Sequence, residues 1–197
     1  MKRIIKRSLF ILLMIITFKT YSNITDSIII RTYSNSEIVT VDRLRVGTSL
    51  KIKDDNGIIL HREEISDSTM YTKSFELSNV PNNSYYLEIE NVNEIKIIPL
   101  VVNNEYVKYL RSDERTISKP NVQVNGKMVH VNQNSTEEQD FHIIIYYEDQ
   151  NIAFEEKMRN YKNFSRSYDF TGSLYGDYTI ELITEGRTYN NKIHITD

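Results

Sequence analysis

Through most of the chain, apolar and polar residues alternate with a period of two, interrupted at short intervals by Gly, Asn, Asp or Pro. Such alternation turns one face of a segment to a core and the other to water, which is the signature of half-buried β-strands. The pattern predicts strands over Ile28–Tyr33, Glu37–Leu44, Ser49–Lys53, Ile58–Ile65, Met70–Leu77, Tyr85–Glu90 and Glu94–Val102. A second set follows over Ile117–Val124, Lys127–Val131, Phe141–Tyr147, Ile152–Met158, Phe164–Phe170, Tyr178–Thr184 and Arg187–Thr196. Apolar residues spaced three or four apart, as in a helix, are missing. The best helical segment, Phe154–Tyr161, is too short to stand as one. Fourteen tyrosines and many Ile, Val and Thr suit a pleated surface.

Seven short strands per half is the count of an immunoglobulin-like sandwich. The expected fold is all-β: two tandem immunoglobulin-like antiparallel β-sandwiches after a signal peptide. An internal echo supports the tandem reading. KIKDDNGIILHREE (Lys51–Glu64) is repeated in kind by IIIYYEDQNIAFEE (Ile143–Glu156). Asp55, Asn56, Gly57, Ile58 and Leu60 align with Asp149, Gln150, Asn151, Ile152 and Phe154, 94 residues apart. Phe75, Leu77 and Tyr85 align with Tyr168, Phe170 and Tyr178, 93 apart, with one residue of slippage between. A period this long indicates a domain duplication and not a solenoid. The expected layout is a signal peptide over 1–22, one sandwich over 23–103, a polar linker over 104–119 and a second sandwich over 120–197. Tyr106, Val107, Tyr109 and Leu110 in the linker are placed to pack between the domains.

The Asp54-Asp55-Asn56-Gly57 cluster reads as a hairpin turn. Asn-Gly supplies the two positive φ values of a type I′ turn, and Asn125-Gly126 does the same in VQVNGKMVHV. A calcium loop with Gly57 at its sixth position puts Ile52 at its first, where no side-chain oxygen exists.

The chain opens with Lys2, Arg3, Lys6 and Arg7, then an apolar run over Leu9–Phe18, then the small residues Thr20 and Ser22. This is the layout of a secretory signal peptide cleaved after Ser22; the apolar run is half of the ~20 residues a bilayer requires. Cysteine is absent, which closes off disulfides, thiolate metal sites and lipid attachment through an N-terminal cysteine. Of the 24 Lys and Arg, five lie in residues 1–22, together with none of the 27 Asp and Glu. The remaining chain therefore holds 19 basic and 27 acidic residues, a net charge of −8. A nucleic-acid partner would be repelled by it.

Leu174, Gly176 and Tyr178 form L-x-G-x-Y within SYDFTGSLYGDYTIELITEGRTYNNKIHIT, followed by a last alternating strand. With YYEDQN and Pro120 upstream, Pro120–Asp197 resembles two groups of small bacterial β-sandwiches. One is the secreted immunoglobulin-like domains of unknown function; the other is the C-terminal sorting domain of type IX secretion cargo. Val80-Pro81-Asn82-Asn83-Ser84-Tyr85 takes the place of L-x-G-x-Y in the first half. Tyr85 and Tyr178 each stand just after a turn, where a tyrosine of such folds buries its ring and bonds its hydroxyl to upstream backbone.

No catalytic constellation emerges. His61, His130, His142 and His194 form neither H-x-H nor H-E-x-x-H; His130 and His142, on neighbouring expected strands, could approach each other with Asp140 nearby. G-x-S-x-G and glycine-rich phosphate loops are missing. Glu63-Glu64, Glu137-Glu138 and Glu155-Glu156 are adjacent, so a strand sends their side chains to opposite faces. Accordingly, catalytic, cofactor-binding and metal-ligating residues are none, and no cofactor is expected. Binding surfaces are the alternative. Tyr71, Tyr86, Tyr146, Tyr161, Tyr175 and Tyr189 are candidates for exposure, and the first and last strands are candidate open edges. The leading expectation is an exported non-catalytic binding or structural protein of the cell envelope or extracellular space, with protein partners. The alternatives are a secreted passenger ending in a type IX sorting domain, and a carbohydrate-binding module.

Overall fold

The structure, a computed structural model, describes residues 29–32, 38–66, 71–148 and 151–197. The alternating segments of the first half become β1 (Ile29–Thr32), β2 (Ile38–Leu44), β3 (Ser49–Asp54), β4 (Ile59–Glu64), β5 (Tyr71–Glu76), β6 (Asn83–Glu90) and β7 (Glu94–Val102). They pair antiparallel in two sheets, β1-β2-β5 and β4-β3-β6-β7. The inward residues of both sheets meet in one core: Val39, Val41 and Phe75 from the first, and Leu50, Ile52, Leu87, Ile98 and Leu100 from the second. Burying these faces is the main stabilising term in a chain without cysteine.

The second half contains β10 (Asn121–Asn125), β11 (Met128–Tyr147), β12 (Asn151–Asp169), β13 (Gly176–Thr184) and β14 (Arg187–Ile195). Here the structure departs from the expected strand count. Lys127–Val131 and Phe141–Tyr147 belong to one 20-residue strand, and Ile152–Met158 and Phe164–Phe170 belong to one of 19 residues. The helical candidate Phe154–Tyr161 lies inside the latter. Register shifts between Asn134 and Phe141, and the left-handed φ of 59° at Asn160, bend the β11–β12 ribbon at its middle. Bulges let strands pass from one layer to another. The first part of β11 pairs with β10 and the end of β12; its last part pairs with the start of β12 and with β13, which pairs with β14. The bent sheet thus closes on its own core: Val129, Val131 and Phe164 against Phe141, Ile143, Ile180 and Leu182. The polar run Asn134–Asp140 reads as a gap between strands because neither of its faces is buried in a regular way.

The same strand order therefore occurs twice. β1-β2-β5 over β4-β3-β6-β7 is matched by β10, first β11, last β12 over first β12, last β11, β13, β14. The fold is all-β, two tandem immunoglobulin-like sandwiches. Each holds a tyrosine corner. The Tyr85 hydroxyl donates to the carbonyl of Pro81 at 2.7 Å, and that of Tyr178 to the carbonyl of Leu174 at 2.9 Å.

The segment expected to be a linker, 104–119, is instead built into the first sheet. β8 (Val107–Tyr109) and β9 (Arg115–Ser118), separated by a 3-10 turn at Arg111–Asp113, both pair with β7. Val107 is buried in the first core with Tyr109 packed on it. Pro99 explains the break between the two strands. Its carbonyl accepts from the Leu110 N–H at 3.0 Å, so its N position faces the same side, where the chain bulges away. A proline is tolerated there because no ladder donor is required.

The hairpin turns also differ from expectation. Asn56 does not take a positive φ; Gly57 does, at 82°. Asp55-Asn56-Gly57 is thus a three-residue loop with glycine at the left-handed position. At Asn125-Gly126 only Gly126, the first central residue, has a positive φ (59°), the type II′ pattern. Glu185 and Gly186 both have positive φ, 50° and 67°, which is the type I′ pattern.

Candidate functional site

The two sandwiches can be superposed position by position through their pairing. Ile52 faces Leu87 on β6 and His61 on β4; Ile145 faces Ile180 on β13 and Phe154 on β12. With Tyr85 matched to Tyr178, His61 corresponds to Phe154 and Ile59 to Ile152, all at a spacing of 93. The alignment at 94, with its slipped residue, is corrected by this register. A bulge follows Ile52 and Ile145 alike. Side-chain contacts repeat as well. His61 meets the edge of Phe75 at 5.2 Å and Phe154 meets Tyr168 at 5.4 Å. Lys73 pairs with Glu63 at 2.6 Å and Arg166 with Glu156 at 3.3 Å, each joining the two layers. A constant spacing of 93 pairs these four residues in the sequence; the assumed slip concealed them.

The matched β4 and first part of β12 are also matched edges. Among the described residues, β4 lies outermost beside β3, and β12 pairs only with β11. A free edge presents unpaired backbone N–H and C=O groups. Apolar side chains accompany them: Ile59 and Leu60 are each 48% exposed, Ile58 59%, Ile152 58% and Phe154 41%. Sequence reading placed the open edges at the first and last strands instead. β1 and β14 are indeed outermost. However, Ile30 packs on the first core, and Ile193 and Ile195 belong to the second, so these edges offer less apolar surface. Ile28 lies outside the described residues.

The acidic turn at Asp54 is occupied with its own construction. The Asp54 carboxylate accepts from the backbone N–H of Asn56 (3.0 Å) and Ile58 (2.8 Å), and the Asn56 amide donates to Asp55. The turn also walls a cleft of about 520 Å³ over the outer face of β6 and β7, with Tyr86, Pro99, Leu110, Asp113 and Arg115 around it.

His130 and His142 do not converge. They sit on the two parts of the bent strand β11, where Val129, Val131, Phe141 and Ile143 turn inward to one core and the alternating histidines therefore face outward from opposite layers. His130 bonds Ser167, His142 bonds Glu155, and Asp140 accepts from the N–H of Asn160. Among the described residues, no group of three or more His, Asp or Glu is arranged to hold a metal ion. Of the candidate tyrosines, Tyr86, Tyr161 and Tyr175 are exposed. The Tyr146 hydroxyl donates to Glu181 at 3.5 Å, and the loss of water around it pushes its pKa up. Tyr189 packs against Ile95, Ile97 and Ile117, with its hydroxyl buried. The side chain of Tyr71 lies outside the described residues.

No protein-family model matches the chain, and no curated protein matches it. Among solved structures, similar chains include a biofilm-associated protein BSP domain, at 13% identity and a TM-score of 0.30. That match covers 85% of this chain and 29% of the other, so this chain spans less than a third of its length. A two fibronectin type-III domain segment from chicken tenascin matches at 9% identity and a TM-score of 0.32, covering 84% and 97% of the two chains. The human OSCAR ligand-binding domain matches at 9% and 0.25, covering 85% and 97%. The fold assignment itself rests on the strand order and the two cores described above.

Proposed function

We propose that this chain is an exported, non-catalytic binding protein of the cell envelope or extracellular space. In this reading residues 1–22 are a signal peptide, and two sandwich domains, 23–103 extended by β8 and β9, and 120–197, form the exported part. The carrying observation is the pair of corresponding open edges, β4 and the start of β12, each with exposed apolar residues at Ile59 and Ile152. Such an edge recognises an extended segment of a partner protein, because backbone pairing supplies affinity and alternate side chains supply selectivity. An edge left bare invites aggregation, so a partner strand also answers a physical need. Among the described residues no helix is long and apolar enough to cross a membrane.

The test places a photoactivatable cross-linking residue at Leu60, at Ile152 or, as a control, at Gly172 of the full chain in its native cell. The reading predicts one and the same covalent adduct from both edges and none from the control. It further predicts loss of the adducts on Ile59→Lys and Ile152→Lys. Absence of an edge adduct, or equal capture at Gly172, overturns it.

A further inference from the structure

The repeat supplies an internal comparison. Residues on the outer sheet faces correspond at a spacing of 93, so differences between twins single out what one domain does and the other does not. On β7 the outward Ile95 and Ile97 are 2% and 4% exposed, whereas their twins on β14, Thr188 and Asn190, are polar and exposed. Glu90 has Ile183 as its twin, Lys51 has Ile144, and Lys53 has Tyr146. Glu88 alone keeps its type, in Glu181, which accepts from Tyr146.

Ile95, Ile97, Glu88 and Glu90 touch the second domain or the chain that enters it, and Lys51 and Lys53 pair with the two carboxylates from their own sheet. Arg187, directly after the β13–β14 turn, donates to Glu88 at 2.6 Å, while Lys53 pairs with the other oxygen at 2.8 Å. Lys119 and Lys51 flank Glu90, each at 2.7 Å. Ile95 and Ile97 pack with Ile117 and Tyr189. The Gln133 amide donates to the carbonyl of Ser118 at 2.8 Å. β9 runs back along β7, and the Lys119 N–H bonds the carbonyl of Asn93 at 2.7 Å. The chain therefore leaves the first domain beside its β6–β7 turn and meets the corresponding β13–β14 turn of the second.

We propose that the two domains are locked by these corresponding ends into one rigid body. The Arg187–Glu88 ion pair, the Gln133–Ser118 hydrogen bond and the isoleucine–tyrosine contact hold them. Glu88 on β6 takes Lys53 from its own sheet and Arg187 from across the junction, while Glu90, held by Lys51 and Lys119, anchors the chain where it leaves β9. Tandem domains move relative to each other unless their interface is firm. Here, release would leave Glu88, 4% exposed, with Lys53 alone to compensate its charge, and buried carboxylates tolerate that poorly. The outer ends, with both tyrosine corners, then point away from the junction at a set separation. This holds whether or not the β4-type edges bind a partner.

The test uses the full chain, whose lack of cysteine permits specific labelling. Nitroxides at Ser78→Cys and Gly172→Cys sit in the β5–β6 and β12–β13 loops, both remote from the junction; a Cβ at Gly172 meets nothing within 4 Å. Pulsed electron resonance is expected to give one narrow distance distribution. Arg187→Gln combined with Ile95→Thr and Ile97→Asn, the last two importing the twin residues, is expected to broaden it at least twofold. Arg187→Gln alone, remote from both cores, should broaden it less and serves if the triple variant fails to fold. A broad distribution in the parent chain, or parental width in folded variants, overturns the proposal.

Discussion

The Tyr85 hydroxyl donates a 2.7 Å hydrogen bond to the carbonyl of Pro81, four residues upstream. Its ring is 2% exposed, so the bond satisfies a polar group inside the core. Tyr178 and Leu174 repeat the arrangement in the second domain. Tyr85→Phe and Tyr178→Phe remove the donor and leave the shape, and each is expected to cost about 1–2 kcal/mol. The sites share no contacts, so their effects should add. Urea unfolding followed by circular dichroism measures both; an additive loss below about 0.5 kcal/mol contradicts the role given to the hydroxyls.

Gly176, the glycine of L-x-G-x-Y, has a φ of 140°, and an added Cβ would meet the Tyr147 ring at 3.2 Å. Gly57 has a φ of 82° and open space around its Cβ position. Gly176→Ala should therefore cost about 2–3 kcal/mol, and Gly57→Ala about 1 kcal/mol. Equal effects in thermal melts would show that backbone strain alone matters at Gly176.

Burial by itself would raise the pKa of Glu90, but the ammonium groups of Lys119 and Lys51 outweigh it and hold the carboxyl down at about 2. A carboxylate depressed on folding adds stability above its unfolded pKa, and that stability drains away as pH falls. The window runs from about 4.5 down to about 2. A carbon-13 titration of Glu90 should thus show a midpoint near the lower limit. Glu90→Gln should flatten the fall of unfolding free energy across the window; an unchanged slope refutes the assignment.

The repeated pairs Lys73–Glu63 and Arg166–Glu156 join layers at the surface. Partly exposed ion pairs contribute little, so Lys73→Met is expected to cost at most about 1 kcal/mol. Leu87→Ala, at a fully buried position, should cost about 2–5 kcal/mol. Denaturant midpoints rank the two, and a reversed order contradicts the view that apolar burial holds these sandwiches.

Much of the fold was legible because strand signals are local. Alternation located β2, β3, β6, β7, β13 and β14 closely, and a tyrosine just after a turn announced both corners. Sites were less legible. Alternation across Asn134–Asp140 fades, so nothing in the residues told that β11 runs through the bend and leaves His130 and His142 on the outer faces of opposite layers. The weak pattern of 104–119 hid β8, and the strand expected over Ile117–Val124 is in fact the end of β9 and most of β10, separated at Lys119-Pro120. A sequence points to its first and last strands as edges, since chain ends are visible in it and sheet ends are not.

By itself the sequence determined which segments extend, which face of each avoids water, where the chain turns and that the unit is repeated. These follow from side-chain alternation and backbone allowances over a few residues. Only the tertiary structure decided which strands lie outermost, which turn types form, and how Arg187 comes to rest on Glu88. Those outcomes depend on pairings between residues up to 99 positions apart, and no local pattern encodes the closing of such distant contacts.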